Sequence, residues 1–482
     1  MKRFWLFALM LAGSLAVLTA PAMAKGDEGD DSSDSSMEDV NSAIGALSAR
    51  VADTEKQLGL KFFGDVRLRY AYQTQDQSDY PGALKVGTNN GVGRIADKGI
   101  GRYRARLGVK KTSGDFTGAL RISTGQTNSN NGSVATAGGL VSNPNSENQT
   151  FDNGFGDPAI VIDQAYLNYE PDFLQKHLKV TVGKMPNPLT TTPVMWDPDI
   201  NPEGALVELS KDDFKFRAAY FDLVATGGTT SKANGNVINN QLGSDEFMAD
   251  FQAAEMFGID KDTNIQLTAG YEYIPNTTIL AGGGPGGENI GPMSALATQN
   301  KPVGTNVWDF GKVIPDFQVV EGILTVNHKL GDVPLKWTLH VTDNLDSFNL
   351  PNNLSTTGPV TSVVNTKAKL GYSTLSNQYA WFLGLNINSI KAKGDFAGMV
   401  ALGYVEPNAQ MSNLVNDDAN FTNSEYLTEQ FSYGLEDNVT FLLTSWQLNH
   451  IYYAYLGAPN LTLGGTSRAT EVVAFADVLF NL

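Results

Sequence analysis

Six arginines stand at alternate positions in three short stretches: Arg67 and Arg69 in FGDVRLRY, Arg102, Arg104 and Arg106 in GRYRARLG, and Arg121 in ALRIS. Lys215 and Arg217 repeat the spacing in FKFRA. A period of two puts the side chains of each stretch on one face of a strand, so neighbouring strands would join these groups into a basic wall. Fixed cations at that density attract and orient charged or dipolar solutes without making or breaking a bond. A second group lies in MPNPLTTTPVMWDPDINPEG, residues 185 to 204, where Trp196, Asp197, Asp199 and Glu203 stand among Pro186, Pro188, Pro193, Pro198 and Pro202. The prolines exclude regular helix or ladder, so a stiff irregular loop is expected. Acids on that loop, set across a constriction from the basic wall, would create a transverse field. The competing use of the arginines is a ladder of ion pairs with acids such as Asp65 and Glu272, which stiffens the wall without choosing ions. Loop acids and wall bases act in opposite directions, so the ion sign that passes more readily does not follow.

Asp197, Asp199, Asn201, Glu203 and Glu208 also fall at positions one, three, five, seven and twelve of a calcium loop. Pro202 occupies the turn position where such a loop needs Gly, and no flanking helices are expected, so loop stiffness and field shaping remain the default use of these acids. Catalysis has little to work with. The four histidines, His177, His328, His340 and His450, accompany no Gly-x-Ser-x-Gly elbow, and no enzyme is expected. Cysteine is absent, which removes disulfides, thiolate metal sites and haem attachment, and no cofactor is expected.

The elements that must carry these residues begin with an export signal. Lys2 and Arg3 precede an apolar run from Phe4 to Leu18, and Ala22-Met23-Ala24 offers a cleavage site, so residues 1–24 read as a signal peptide and Lys25 as the mature start. Residues 25–36, KGDEGDDSSDSS, hold no apolar residue and read as a flexible acidic linker. Within 37–59, Met37, Val40, Ile44, Leu47, Val51, Thr54 and Leu58 recur at steps of three and four, a coiled-coil seam of three heptads. An isolated helix of that length is marginal, so the stripe needs either self-association or docking on the barrel mouth. Contact with the cell wall or another periplasmic component through residues 37–58 is a further use of the same stripe. The formal charge of −17, or −19 once Lys2 and Arg3 leave, argues against nucleic acid as a partner.

From position 61 the period becomes two. Phe62, Val66, Leu68, Tyr70 and Tyr72 alternate with Asp65, Arg67 and Arg69, and similar alternation returns near Tyr103, Phe116, Ile265, Leu335, Phe396 and Val472. Seven short turns, near 112–115, 171–177, 211–213, 260–262, 330–333, 391–394 and 436–438, alternate with eight long Gly/Asn/Ser-rich connections. That count joins sixteen strands and leaves both ends of residues 61–482 on the short-turn side. After Lys25 no stretch of eighteen uninterrupted apolar residues occurs, so a membrane home for this chain requires a closed barrel. Long connections at every second position, Tyr and Phe on the apolar face and Arg on the polar face favour a barrel with lipid outside and water inside. The expected fold is therefore all-β, an antiparallel transmembrane β-barrel of about sixteen strands behind a short N-terminal coiled-coil helix.

The succession of signal, short coiled coil, FFGDVRLRY, DQAYLNYEP, VGKMPNP and WDPDINPEG resembles a porin family of Gram-negative outer membranes, over essentially the whole mature chain. The resemblance implies a passive, trimeric, water-filled channel for small hydrophilic solutes, embedded in outer-membrane lipid with its N-terminal segment in the periplasm. It also implies a third loop folded inward as the constriction. One departure is Leu482 at the last position, where the family places an aromatic residue; Phe480 stands two residues before it. Two other readings use the same strands: an anion-selective porin of the phosphate type, and a barrel scaffold for a cytochrome conduit or for adhesion.

Overall fold

The computed structural model describes residues 59–76, 98–125, 148–151, 159–224, 232–233, 236–237, 246–275, 317–345, 378–406, 409–411, 414–416, 424–450 and 470–482. The expected signal peptide, acidic linker and coiled-coil helix, apart from Gly59, lie outside the described residues.

Sixteen long strands follow one another: β1 Leu60–Asp76, β2 Lys98–Ser113, β3 Phe116–Gly125, β4 Ala159–Tyr169, β5 Leu178–Lys184, β6 Glu203–Lys211, β7 Phe214–Val224 and β8 Glu246–Gly258 in the first half. The second half holds β9 Thr263–Ile274, β10 Phe317–Leu330, β11 Val333–Asn344, β12 Tyr379–Ile387, β13 Phe396–Val405, β14 Ser424–Glu436, β15 Val439–His450 and β16 Thr470–Asn481. Each pairs antiparallel with its sequence neighbours, and a short strand at Gln149–Thr150 also pairs with β2. The ring closes because β1 pairs antiparallel with β16, from Asp65↔Asn481 to Asp76↔Thr470. No barrel strand is left with an unpaired edge, the condition for a sheet in hydrocarbon.

All seven expected short turns join strands at one end, and all eight long connections lie at the other. The segment 246–258, whose alternation is weak in sequence, forms β8 and pairs on both sides. Tight reversals need a left-handed residue, supplied by Gly114 (φ 56°) between β2 and β3 and by Gly331 (φ 64°) between β10 and β11. In the longer turn before β13, the amides of Lys391 and Ala392 donate to Asp395 Oδ2 at 2.8 and 2.9 Å. Those donors hold the Asp395 carboxyl below the ordinary carboxylate range. A depressed folded-state pKa stabilises the turn above the unfolded value, and that contribution is lost as pH falls through the folded one.

The two faces differ as the alternation requires. Val66, Leu68 and Tyr70 on β1 are exposed, as are Leu339 and Val341 on β11 and Leu383 on β12, whereas Asp65, Arg104, Glu321, His340 and Thr342 are buried. In water an apolar face of that extent would be an aggregation surface; against lipid it is the solvent-matched side. Aromatic pairs mark both margins. Phe116 stacks on Tyr169 at 4.8 Å near the short turns, and Trp381 stacks on Tyr404 at 6.2 Å near the long connections. A charge at mid-depth on this face is expected to destabilise: Leu339→Arg should lower unfolding free energy in lipid by about 2–4 kcal/mol, measured by denaturant titration in vesicles.

Candidate functional site: the barrel interior

The inner face is divided into two unlike arcs. On β1 and β2 the register sets Arg67 opposite Arg104, Arg69 opposite Arg102 and Asp65 opposite Arg106. The expected wall arginines therefore do come together. Like charges facing across a strand pair repel, so carboxylates must intervene. Asp65 takes two guanidiniums, with Arg104 Nη2 at 3.0 Å and Arg106 Nε at 2.6 Å. Asp477 on β16 accepts both Nε and Nη2 of Arg69, at 2.8 and 2.9 Å. Arg121 pairs with Asp163 on β4. Arg67 and Arg102 form no ion pair among the described residues; Arg67 Nη2 donates to Asn148 Oδ1 at 2.7 Å, and the Nε atoms of both are buried without a partner. The wall is thus an ion-pair ladder at four arginines, while at Arg67 the nearby carboxylates of Asp199 and Asp477 act through space without a direct ion pair.

Lys215 and Arg217 form their own group on β7, where Glu208 of β6 accepts from Arg217 Nε at 2.7 Å and lies 3.9 Å from Lys215 Nζ. Arg217 Nη1 also donates to Thr190 Oγ1 at 3.0 Å, which ties the wall to residues 185–202.

That segment is anchored around the interior. Thr190 exchanges two hydrogen bonds with Gln252 on β8: its amide donates to Oε1, and its carbonyl accepts from Nε2, both at 2.9 Å. Thr192 Oγ1 meets His340 Nδ1 on β11 at 2.8 Å. Trp196 Nε1 donates to Glu272 Oε2 on β9 at 3.3 Å, Asp199 Oδ1 accepts from Arg104 Nη1 at 3.0 Å, and Asn201 Nδ2 donates to Asp163 Oδ1 at 2.6 Å. In a ring of sixteen, β11 and β2 are seven strands apart by the shorter route. Going round the wall would take roughly 34 Å at strand spacing, and more once the strands tilt. The seven residue steps from Thr192 to Asp199 reach about 25 Å at full extension, so the segment crosses the interior. Its apolar residues explain why it stays there: Val194, Met195 and Trp196 are buried in one cluster with Phe221, Met248, Ile274 and Phe317.

Several expected residues have other surroundings. Of the loop acids, Asp199 reaches the arginine wall, at Arg104. Asp197 is buried and its Oδ1 accepts from the amide of Asp199 at 2.7 Å, bracing the turn. Glu203 opens β6 on the side of the exposed Val207 and Leu209, beside Lys184 Nζ at 2.8 Å. Trp196 is a core side chain, 6.1 Å edge-on to Phe221. Glu272 neutralises no arginine; it accepts from Trp196 and from Gln410 Nε2 at 2.8 Å. The calcium spacing does not become a coordination shell, because Asp199, Glu203 and Glu208 turn to three different cations. Among the described residues no group of three or more His, Asp or Glu is arranged to hold a metal ion.

Sequence reading missed the second arc. Asp250 of β8 stands directly opposite Glu272, and both are buried. Glu321 on β10 accepts from Gln252 Nε2 at 2.5 Å and faces His340 Nε2 at 2.8 Å. Asp250 lies on β8, whose alternation is weak, and nothing in the strands that carry Glu272 and Glu321 announces their neighbours' register.

Residues 55–278 match the model of the putative porin family. The match shows the resemblance read from the sequence, and it spans β1 to β9 with the crossing segment inside it. Solved porins resemble the chain more distantly. A triple mutant of the Rhodopseudomonas blastica porin is 12% identical with a TM-score of 0.38, and it matches over 88% of this chain and 100% of that one. A quintuple mutant of the same porin gives 11% and 0.39 over the same shares. No curated protein sequence matches the chain. The closed sixteen-strand porin-like barrel rests on the strand pairing itself, and barrel and family match together indicate an outer-membrane protein.

Two aspartate-to-asparagine changes on this inner face should have opposite signs. Asp65→Asn leaves Arg104 and Arg106 without their shared carboxylate and should destabilise by about 2–3 kcal/mol. Asp250→Asn removes one of two ionisable groups buried directly opposite each other and should stabilise by up to about 1 kcal/mol. Denaturant midpoints of the two refolded variants against the parent check both.

Proposed function

We propose that this protein is an outer-membrane porin whose barrel encloses a water-filled passage for passive diffusion of small hydrophilic solutes and ions. The observation that carries the reading is the crossing segment 185–202, which narrows the interior against a wall of arginines. The wall residues Arg67, Arg69, Arg102, Arg104, Arg106 and Arg121 line the passage on one side, and Asp199 faces them from the segment. Family match and barrel point to a channel rather than an enzyme. Lipid contacts the outer face, three copies form the working unit, and residues 37–58 contribute a periplasmic coiled coil to trimer alignment or cell-wall contact.

Arg67 and Arg102, which form no ion pair among the described residues, favour a second, narrower reading in which the passage prefers anions. In planar bilayers under a salt gradient, Arg67→Ala and Arg102→Ala should each move the reversal potential toward cations, and Asp199→Asn should move it toward anions. Unchanged reversal potentials in all three would remove the arginine wall from ion selection. For the diffusion reading itself, proteoliposomes holding folded protein should swell in isosmotic small sugars; an impermeable preparation counts against it.

A further inference from the structure

The crossing segment is held from its other side by a part of the chain that the channel reading does not use. Residues 409–411 and 414–416 belong to the long connection between β13 and β14 and are buried against 193–197. Two backbone hydrogen bonds join the segments: the amide of Asp197 donates to the carbonyl of Leu414 at 2.6 Å, and the amide of Asn416 donates to the carbonyl of Pro193 at 3.2 Å. Ala409, Met411 and Leu414 enter the same apolar cluster as Val194, Met195 and Trp196. Gln410 has no exposed surface, and its Nε2 donates to Glu272 Oε1 at 2.8 Å and lies 3.5 Å from Met195 Sδ. Its own Oε1 accepts from the amide of Met411 at 2.7 Å, which fixes the amide plane. Glu272 is consequently shared: one oxygen accepts from Trp196 of the crossing segment and the other from Gln410 of the second segment.

We propose that residues 409–411 and 414–416 clamp the crossing segment against the β8–β11 wall, with Gln410 as the positioning residue, so that two long connections together set the open cross-section. The clamp rests on the porin reading for its consequence, a passage confined to the arginine side of the barrel, but its geometry is independent of conduction. A peptide segment with five prolines has few backbone partners of its own, and a neighbouring strip of backbone supplies what the prolines deny. The buried Glu272 carboxyl gives both segments one shared acceptor group, which ties their positions together.

The test pairs two readouts on full-length refolded protein. Gln410→Leu keeps bulk and removes the donor; Trp196→Phe removes the donor from the other segment while keeping a ring; Gln430→Leu, on the inner face of β14 away from both segments, is the control. Amide exchange at Asp197 and Asn416 should accelerate by about tenfold or more in the first two variants and stay unchanged in the third. In planar bilayers the first two should give larger and noisier steps with a shifted reversal potential. Parental exchange rates at both amides in both variants would overturn the clamp, whatever the conductance. A parent protein with protected amides and no conductance would overturn the porin reading alone, and the exchange data would still decide the clamp.

Discussion

Hydrocarbon leaves no water for a backbone amide, and the structure is organised around that constraint. Pairing of β1 with β16 removes the edges that an open sheet would expose, and every other strand finds partners on both sides. Closure then imposes two solvents on one chain. Residues at one parity meet lipid and those at the other meet the interior, so the period-two alternation is a condition of stability rather than a stylistic feature of the strands.

The inner face carries a cost of its own, because polar side chains brought together in a restricted space need partners. On the β16–β4 arc the solution is ionic. Asp65, Asp163 and Asp477 are interleaved with the arginines that register would otherwise set against one another. On the opposite arc the solution is to cover the acids with chain: residues 185–202 with 409–411 and 414–416 lay an apolar surface over β7 to β11 and donate to Glu272 from two directions. A stiff proline-rich segment suits that role, since it loses little further entropy when fixed and does not compete for the strand ladder.

Much of this was legible in the chain. Sixteen strands followed from seven turns and eight long connections, and the inward parity of Arg67, Arg69, Arg102, Arg104 and Arg106 followed from alternation with Leu and Tyr. The inward fold of the third long connection was implied by resemblance alone, and its contacts with six strands needed three-dimensional register. Asp197 and Glu203 were grouped with Asp199 because they are near it in sequence. One step at Asn201–Glu203 changes an irregular loop into a strand, and the strand's parity then takes Glu203 to the other face. Glu272 was assigned to arginines that lie six to eight strands away on β1–β3 because sequence gives no distance between strands. Asp250, Glu321 and Gln410 escaped notice, and His340 was weighed only for catalysis, for the same reason: their meaning lies in neighbours remote along the chain.

The most direct measurement of the central claim is the single-channel conductance of the purified chain in a planar bilayer, with folding and insertion shown separately by heat-modifiable gel mobility. Stable ohmic steps, smaller than an unobstructed sixteen-strand barrel would pass, are the predicted result, because the crossing segment narrows the interior without closing it. Folded, inserted protein that passes no current would contradict the account and make the two interior segments a plug.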